Sequence, residues 1–315
     1  MQNKFDKKDI DAALHLITSA NSVTLLTHKN PDPDGISACA ALSDWLCEMG
    51  KKVETIYLNA TEYAIVHDPA NILINKHSHI PDLIIVCDTA NYERIYYPEL
   101  FKKVPLINID HHISNAIAGT VNLVDGAVSS TCELLLFLLK AWSVTISKNI
   151  AESLLYGMMY DTQIFQTQPT NAQTLRVAAE LVDAGAQIFP LKLLLDAHKN
   201  SKNIKLWGTV LQNLEVVKSS NAVIACVTQQ DLKAAGVERS ALLGLNNFIA
   251  TMPDIDVMIF MYQEASGAIR VSLRSKVTDV NALASHFKGG GHKFASGFVS
   301  DLQLSDLKQK LIDFL

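Results

Sequence analysis

Apolar runs in the first half of the chain repeatedly end on, or directly before, a histidine or an aspartate, and this recurrence limits the fold more than any other feature. Residues 22–28 read Ser-Val-Thr-Leu-Leu-Thr-His, residues 83–88 read Leu-Ile-Ile-Val-Cys-Asp, and residues 104–109 lead straight into Asp110-His111-His112. Runs this short and apolar are strands of a parallel sheet, which is buried on both faces. After the first, Ile36, Leu42, Trp45, Leu46 and Met49 recur at helical spacing, and residues 53–58 supply another strand. Strands alternating with helices make an α/β sheet. In such a sheet, ligands bind beyond the carboxyl ends of the strands, where His28, Asp88 and Asp110-His111-His112 all stand.

Helical patterns follow at residues 130–142, 148–159 and 171–184, the last stopped by Gly185. With 315 residues, 49% of them hydrophobic, the chain can bury two cores. We therefore expect two domains: a mainly parallel sheet flanked by helices over residues 1–187, a linker over 188–204 with a short helix near 191–198, and a smaller α/β domain over 205–315. In the second domain the patterns give a strand at 222–227, a helix at 239–249, a hairpin of 257–262 with 268–274 turning at Ser266-Gly267, a helix at 281–287, a strand at 294–299 and a closing helix at 305–315. The beginning of the chain has no signal-peptide pattern, and no apolar run approaches the roughly 18 residues of a membrane span. A soluble cytoplasmic protein with no membrane partner is expected. Cys39, Cys47, Cys87, Cys132 and Cys226 form no Cys-x-x-Cys pair, and most lie inside apolar segments, where a cysteine reads as a buried thiol.

The segment His28-Lys29-Asn30-Pro31-Asp32-Pro33-Asp34-Gly35 carries the densest chemistry. Each proline pushes the residue before it out of the helical region, so Asn30 and Asp32 are extended and Asp32 and Asp34 lie on one side of the loop. Asp34 is also placed to cap the helix that follows. Asp161 differs from the other candidates in closing a helix. Carboxylate oxygens with imidazole nitrogens and no thiolate suit Mn²⁺ or Mg²⁺ better than a structural zinc. Charge is unevenly divided: residues 205–315 carry 11 Lys and Arg against 10 Asp and Glu, and residues 1–204 carry 16 against 22. In the later part Arg270, Arg274, Lys276, Lys288 and Lys293 can meet phosphates.

Four motifs in order resemble the DHH phosphoesterase superfamily: H-x-N-P-D-x-D-G at residues 28–35, V-C-D at 86–88, I-D-H-H-x-S-N at 109–115, and G-x-x-x-D-T at 157–162. The resemblance implies that His28, Asp32 and Asp88 hold one Mn²⁺, and that Asp34, Asp88, His111 and Asp161 hold a second, Mg²⁺ or Co²⁺ being other candidates. Asp88 would bridge, and a water shared by the metals would attack phosphorus in line. It further implies that His112 contacts the scissile phosphate or shuttles a proton, that Asp110 orients the histidine pair, and that Asn115 meets the substrate. Relatives of the oligoribonuclease type have glycine where this chain has Gln163, which bears on substrate preference.

In the second half, Lys288-Gly289-Gly290-Gly291-His292 follows a helical pattern and precedes a strand. Consecutive glycines there can turn backbone N–H groups toward an anion. The segment resembles the DHH-associated domain, as do Val-Ser-Leu-Arg-Ser at 271–275 and Asp-Val-Asn-Ala-Leu-Ala at 279–284. That resemblance implies an active site in the cleft between the domains, with Arg274 and Gly289, Gly290, Gly291 and His292 gripping a phosphate or a terminal nucleotide. The expected partner is short RNA or a dinucleotide, and a homodimer is compatible with this reading. The leading expectation is hydrolysis of short oligoribonucleotides to mononucleotides, with phosphatase action on adenosine 3′,5′-bisphosphate. Hydrolysis of cyclic di-AMP or pApA and a catalytically silent nucleotide-binding protein are the alternatives.

Overall fold

A computed structural model describes residues 5–314, apart from the side chain of His292. The chain divides into two compact units between Ala197 and His198. The first contains α1 (Lys7–Ser19), β1 (Ser22–Leu26), α2 (Pro33–Glu48), β2 (Lys52–Tyr57), β3 (Ile72–Ile74), β4 (Leu83–Cys87), β5 (Leu106–Asp110), β6 (Val121–Val124), α3 (Thr131–Ala141), α4 (Lys148–Asp161), α5 (Ala172–Asp183) and α6 (Ile188–Leu195). Its six strands are all parallel, in the order β3-β2-β1-β4-β5-β6. Successive connections run outward from β1 on one side and from β4 on the other. The order thus reverses between β1 and β4, and a crevice opens beyond their carboxyl ends. His28 and Asp88 stand on its two sides.

Strand alternation divides the core. Leu83, Ile85 and Cys87 of β4 join the cluster packed by α1 to α6, while Ile84 and Val86 face a second cluster with Ile95, Phe101 and Ile117. That second face is covered by 3-10 turns at Tyr92–Arg94 and Glu99–Lys103 rather than by α-helices.

The second unit contains α7 (Ser201–Gln212), β7 (Glu215–Val217), β8 (Ala222–Val227), α8 (Gln229–Ala235), α9 (Leu245–Ala250), β9 (Val257–Gln263), β10 (Ile269–Ser275), α10 (Val280–His286), β11 (Gly290–His292), β12 (Ala295–Ser300) and α11 (Leu304–Phe314). Its mixed sheet has the order β11-β12-β10-β9-β8-β7, with β8 and β9 parallel and the other pairs antiparallel. Leu206, Trp207, Leu232 and Ile249 fill a core on one face, and Val280, Leu283, Leu307 and Leu311 fill one on the other.

Several expectations change in detail. The helix read at 239–249 is a 3-10 turn, Arg239–Leu242, and the separate α9, because Gly244 between them adopts φ +80°. Residues 188–204, read as a linker, hold α6 in the first unit and the opening of α7 in the second. The glycine triplet is an edge strand: Gly290 and Gly291 pair with Gly297 and Ser296. A Cβ on Gly289 would stand 2.3 Å from the Gly297 carbonyl oxygen and one on Gly291 would stand 2.6 Å from that of Ala295, so these glycines let two backbones meet.

Candidate metal centre

The first motif is built by the two ends of a loop. Asp32 caps α2, its Oδ1 accepting from the N–H groups of Asp34 (3.1 Å) and Gly35 (3.3 Å), and Pro33 occupies the first helical position. Asp32 therefore takes the capping role that the sequence suggested for Asp34. Its Oδ2 is thereby left to face His28 Nε2 at 3.4 Å. His28 Nδ1 lies 3.0 Å from the Lys29 carbonyl, which fits a protonated Nδ1 and directs the Nε2 lone pair toward the carboxylates.

Asp34 is fully buried in the first turn of α2 and accepts from Thr131 N–H (2.7 Å) and Cys132 N–H (3.0 Å) in the first turn of α3. A carboxylate there meets N–H groups that have no partner within their own helix. Asp88 follows β4 with φ +56°, a conformation Asp tolerates better than most residues. Its backbone N–H donates to Ile109, and Thr131 Oγ1 donates to its Oδ1 (3.2 Å). Oδ2 lies 3.6 Å from His28 Nε2, while Oδ1 lies 3.6 Å from His111 Nε2 and 3.7 Å from His112 Nδ1. Asp161, at the end of α4, places Oδ2 3.2 Å from His111 Nε2.

Asp110 ends β5 and is fully buried. Its Oδ1 accepts from His111 N–H (2.8 Å) and pairs with His112 Nδ1 (2.7 Å), while Asn115 Nδ2 donates to Oδ2 (2.5 Å). Asn115 also donates to the Thr89 carbonyl (2.9 Å) and accepts from Asn108 Nδ2 (2.9 Å) and Ile117 N–H (2.9 Å). Both ends of the Asn115 amide are thus used by the protein, which holds the side chain against Asp110.

The ligand atoms fall into three groups, each within 4.8 Å: His28 with Asp32 and Asp88, Asp34 with His111 and Asp161, and Asp88 with His111 and His112. Asp88 belongs to two of them. The electrostatics call for added positive charge. Burial, then the neighbouring Asp161 and Asp88, raise the Asp34 carboxyl well above its ordinary range; burial and Asp32 lift Asp88 to about 6. Burial opposes charge on the imidazoles, but the hydrogen bond to Asp32 carries His28 to about 9, and that to Asp161 carries His111 to about 10. Protons are thus held where carboxylates converge, and a divalent cation satisfies the same need with the same donor atoms. The residues fit a hard dication, and the groups can hold metal ions.

Two motif glycines keep this geometry. A Cβ on Gly35 would stand 2.1 Å from Thr27 Oγ1 and 3.2 Å from Asp88 Oδ2; one on Gly157 would stand 2.4 Å from Cys132 Sγ and 2.9 Å from Asp34 Oδ1. Each lets helix backbone approach a candidate ligand.

Reading the sequence missed Thr131, Cys132 and Arg94, whose Nη2 lies 3.3 Å from His28 Nδ1. The sequence placed the start of a helix at residue 130, but nothing marked that helix as the one facing Asp34. In the second unit Arg274 is half-buried on β10 and its Nη1 donates to its neighbour's carbonyl, Leu273 O (3.0 Å). Gly289 N–H is taken by the Ala284 carbonyl (2.8 Å), so this glycine does not offer it to an anion. Among the described residues, no atom beyond Gly290 and its chain neighbours lies within 4 Å of where a Cβ on Gly290 would stand, and the side chain of His292 lies outside the described residues.

The model of the DHH family, N-terminal domain, matches residues 22–158, and that of the DHHA1 domain matches residues 220–315. The chain carries a DHH domain followed by a DHHA1 domain. It is accordingly a phosphoesterase, a hydrolase of phosphate-ester bonds. The chain is 27% identical over 291 residues to the bifunctional oligoribonuclease and PAP phosphatase NrnA of Bacillus subtilis, covering 90% of this chain and 91% of the relative. A probable bifunctional oligoribonuclease and PAP phosphatase NrnA of Streptococcus mutans is 29% identical, with 89% and 90% covered. The same DHH fold appears in an exopolyphosphatase-related protein from Bacteroides fragilis, with a TM-score of 0.92, 23% identity and 99% and 98% of the two chains covered. Among the described residues, no helix is long and apolar enough to cross a membrane.

Proposed function

We propose that this protein is a Mn²⁺-dependent phosphodiesterase that hydrolyses short oligoribonucleotides to mononucleotides and also removes a phosphate from adenosine 3′,5′-bisphosphate. The observation that carries the proposal is Asp88, whose two oxygens face different ligand groups. His28 and Asp32 complete one site with it, and Asp34, His111 and Asp161 complete the other. Bound there, two dications would supply an activated water and positive charge beside the phosphorus. Asp110 fixes His112 through Nδ1, so the opposite edge of the imidazole is presented to a phosphate oxygen or leaving group. Arg274 would pair phosphate oxygens through its planar fork, and the Gly290 backbone leaves room for a substrate to approach. The relatives' names and the coverage of both chains support the choice of substrate.

The test is a side-by-side assay of purified protein with Mn²⁺ on RNA dimers to pentamers, pApA, cyclic di-AMP, adenosine 3′,5′-bisphosphate and pyrophosphate. Mononucleotides from RNA and inorganic phosphate from the bisphosphate are expected, both abolished by chelation and restored by Mn²⁺. Turnover of pyrophosphate alone, or of cyclic di-AMP in preference to RNA, would refute the assignment.

A further inference from the structure

Asp88 has a task that no other candidate ligand shares. Its Oδ2 faces His28 Nε2 and its Oδ1 faces His111 Nε2, each at 3.6 Å, so its two oxygens belong to different ligand groups. A carboxylate can also turn both oxygens to a single cation. Keeping the oxygens apart requires the plane of the group to be held, and proteins hold metal ligands through hydrogen bonds from neighbouring side chains.

Oδ1 already has such a bond. Thr131, the first residue of α3, donates to it from a buried Oγ1 at 3.2 Å. Oδ2 accepts no hydrogen bond from the described residues, yet a hydroxyl stands beside it. Thr27 follows β1, and alternation from Leu25 turns its side chain to the helix-covered face, beneath the first turn of α2. Thr27 is fully buried, and its Oγ1 has no hydrogen-bond partner among the described residues. A Cβ on Gly35 would stand 2.1 Å from Thr27 Oγ1 and 3.2 Å from Asp88 Oδ2, so both oxygens border the one point where Gly35 carries no side chain. A buried hydroxyl left unpaired is costly and calls for a reason. The carboxylate across Gly35 supplies one.

We infer that Thr27 and Thr131 are a pair of positioning residues, one hydroxyl for each Asp88 oxygen, which keep the carboxylate spread over two ligand groups and stop it from closing on one cation. The inference rests on the two-site reading of Asp88 and adds what enforces it. Thr131 is engaged in the protein alone, whereas Thr27 comes into use when a cation fixes Oδ2. Glycine at position 35 leaves the path between hydroxyl and carboxylate open.

The experiment titrates Mn²⁺ calorimetrically into chelator-stripped protein and also melts the stripped protein, for wild type, Thr27→Val, Thr27→Ser, Thr131→Val and Thr55→Val. Valine keeps the shape of threonine and removes the hydroxyl. Wild type should bind two Mn²⁺. Thr27→Val should weaken Mn²⁺ binding about 10–100-fold, while the Tm of the stripped protein stays level or rises, because an unpaired buried hydroxyl has gone. Thr27→Ser should bind as wild type does. Thr131→Val should weaken binding too but lower that Tm, since the bond it loses exists without metal. Thr55 is likewise fully buried with an unpaired hydroxyl, but it stands within β2 opposite Leu25, and Thr55→Val should leave Mn²⁺ affinity unchanged. A Thr27→Val protein that binds two Mn²⁺ with wild-type affinity, or that loses affinity only together with Tm and is not rescued by serine, overturns the threonine pair alone. A wild type that binds a single Mn²⁺ overturns the two-site reading and the pair with it.

Discussion

Substituting Gly157 by alanine would test whether helix packing, and not ligand identity alone, sets the metal centre. The new methyl would lie 2.4 Å from Cys132 Sγ, 2.9 Å from Asp34 Oδ1 and 3.1 Å from Asp34 Cα, with all three residues buried between α2, α3 and α4. Alanine gains about 1 kcal/mol of helix propensity over glycine. Overpacking a well-filled core costs about 1–3 kcal/mol, and a close contact with two helices at once belongs at or above the upper end. The net expectation is a loss of about 2 kcal/mol, or a Tm lower by about 4–8 °C for a unit of this size. Displacing a ligand by a few tenths of an ångström resembles loss of a supporting contact, so Mn²⁺ affinity should fall about 10–100-fold. Scanning calorimetry and titration calorimetry read the two effects separately. Combining the substitution with Cys132→Ala removes the shortest contact but leaves those to Asp34. The double variant, compared with Cys132→Ala alone, should therefore recover most of the stability and little of the metal affinity. A Gly157→Ala protein with unchanged Tm and unchanged Mn²⁺ affinity would refute the reasoning.

Asn115→Ala should lower kcat about 10–100-fold with little change in KM, because it loosens Asp110 behind His112; a purely raised KM would make Asn115 a substrate contact instead. Gln163, Ile164 and Phe165 have φ of 48°, 59° and 63°, a left-handed turn directly after Asp161 and Thr162. Relief of that strain should make Gln163→Gly more stable by about 0.5–1 kcal/mol, net of the added chain entropy, read as a raised denaturant midpoint; a lowered midpoint would show that the Gln163 side chain is needed. In the second unit, burial opposes the charge on Asp256, but hydrogen bonds led by that from Thr278 hold its carboxyl down at about 2. A lowered carboxyl contributes stability above its unfolded value, about 3.9, and loses it as the pH falls toward 2. Asp256→Asn should therefore melt below wild type at pH 7 and approach it between pH 4 and about 2; a gap that does not narrow would place the effect outside that titration.

The centre of the first sheet was legible because its strands are continuous apolar runs and its candidate ligands directly follow them: β1, β4 and β5 stand where the runs did. The short edge strands β3, β6, β7 and β11 were not, since strands of three or four residues carry too little periodicity. Helix α1 escaped notice for another reason: Lys7, Lys8, Asp9 and Asp11 dilute an apolar stripe that Ile10, Ala13 and Ile17 still bury. Spacing placed Asp32 and Asp34 on one side of their loop, but Asp32 turns toward His28 while Asp34, already in α2, turns toward α3. That division depends on a helix nearly a hundred residues away, a tertiary contact that no local pattern encodes. The glycine triplet was ambiguous for a related reason, because close backbone approach and anion cradling call for the same residue.

Each sheet ends in strands of three or four residues: β3 and β6 in the first, β7 and β11 in the second. The most apolar strands, including the fully buried β4, lie inside, with partners on both sides. An edge this short gives another chain little to pair with, and charge reinforces the barrier, with Lys288 and Lys293 flanking β11 and Glu215 of β7 paired to Lys308. The folded protein therefore keeps its most β-prone segments away from any route to fibrillar growth, and the hazard they pose belongs to the time before the sheets close.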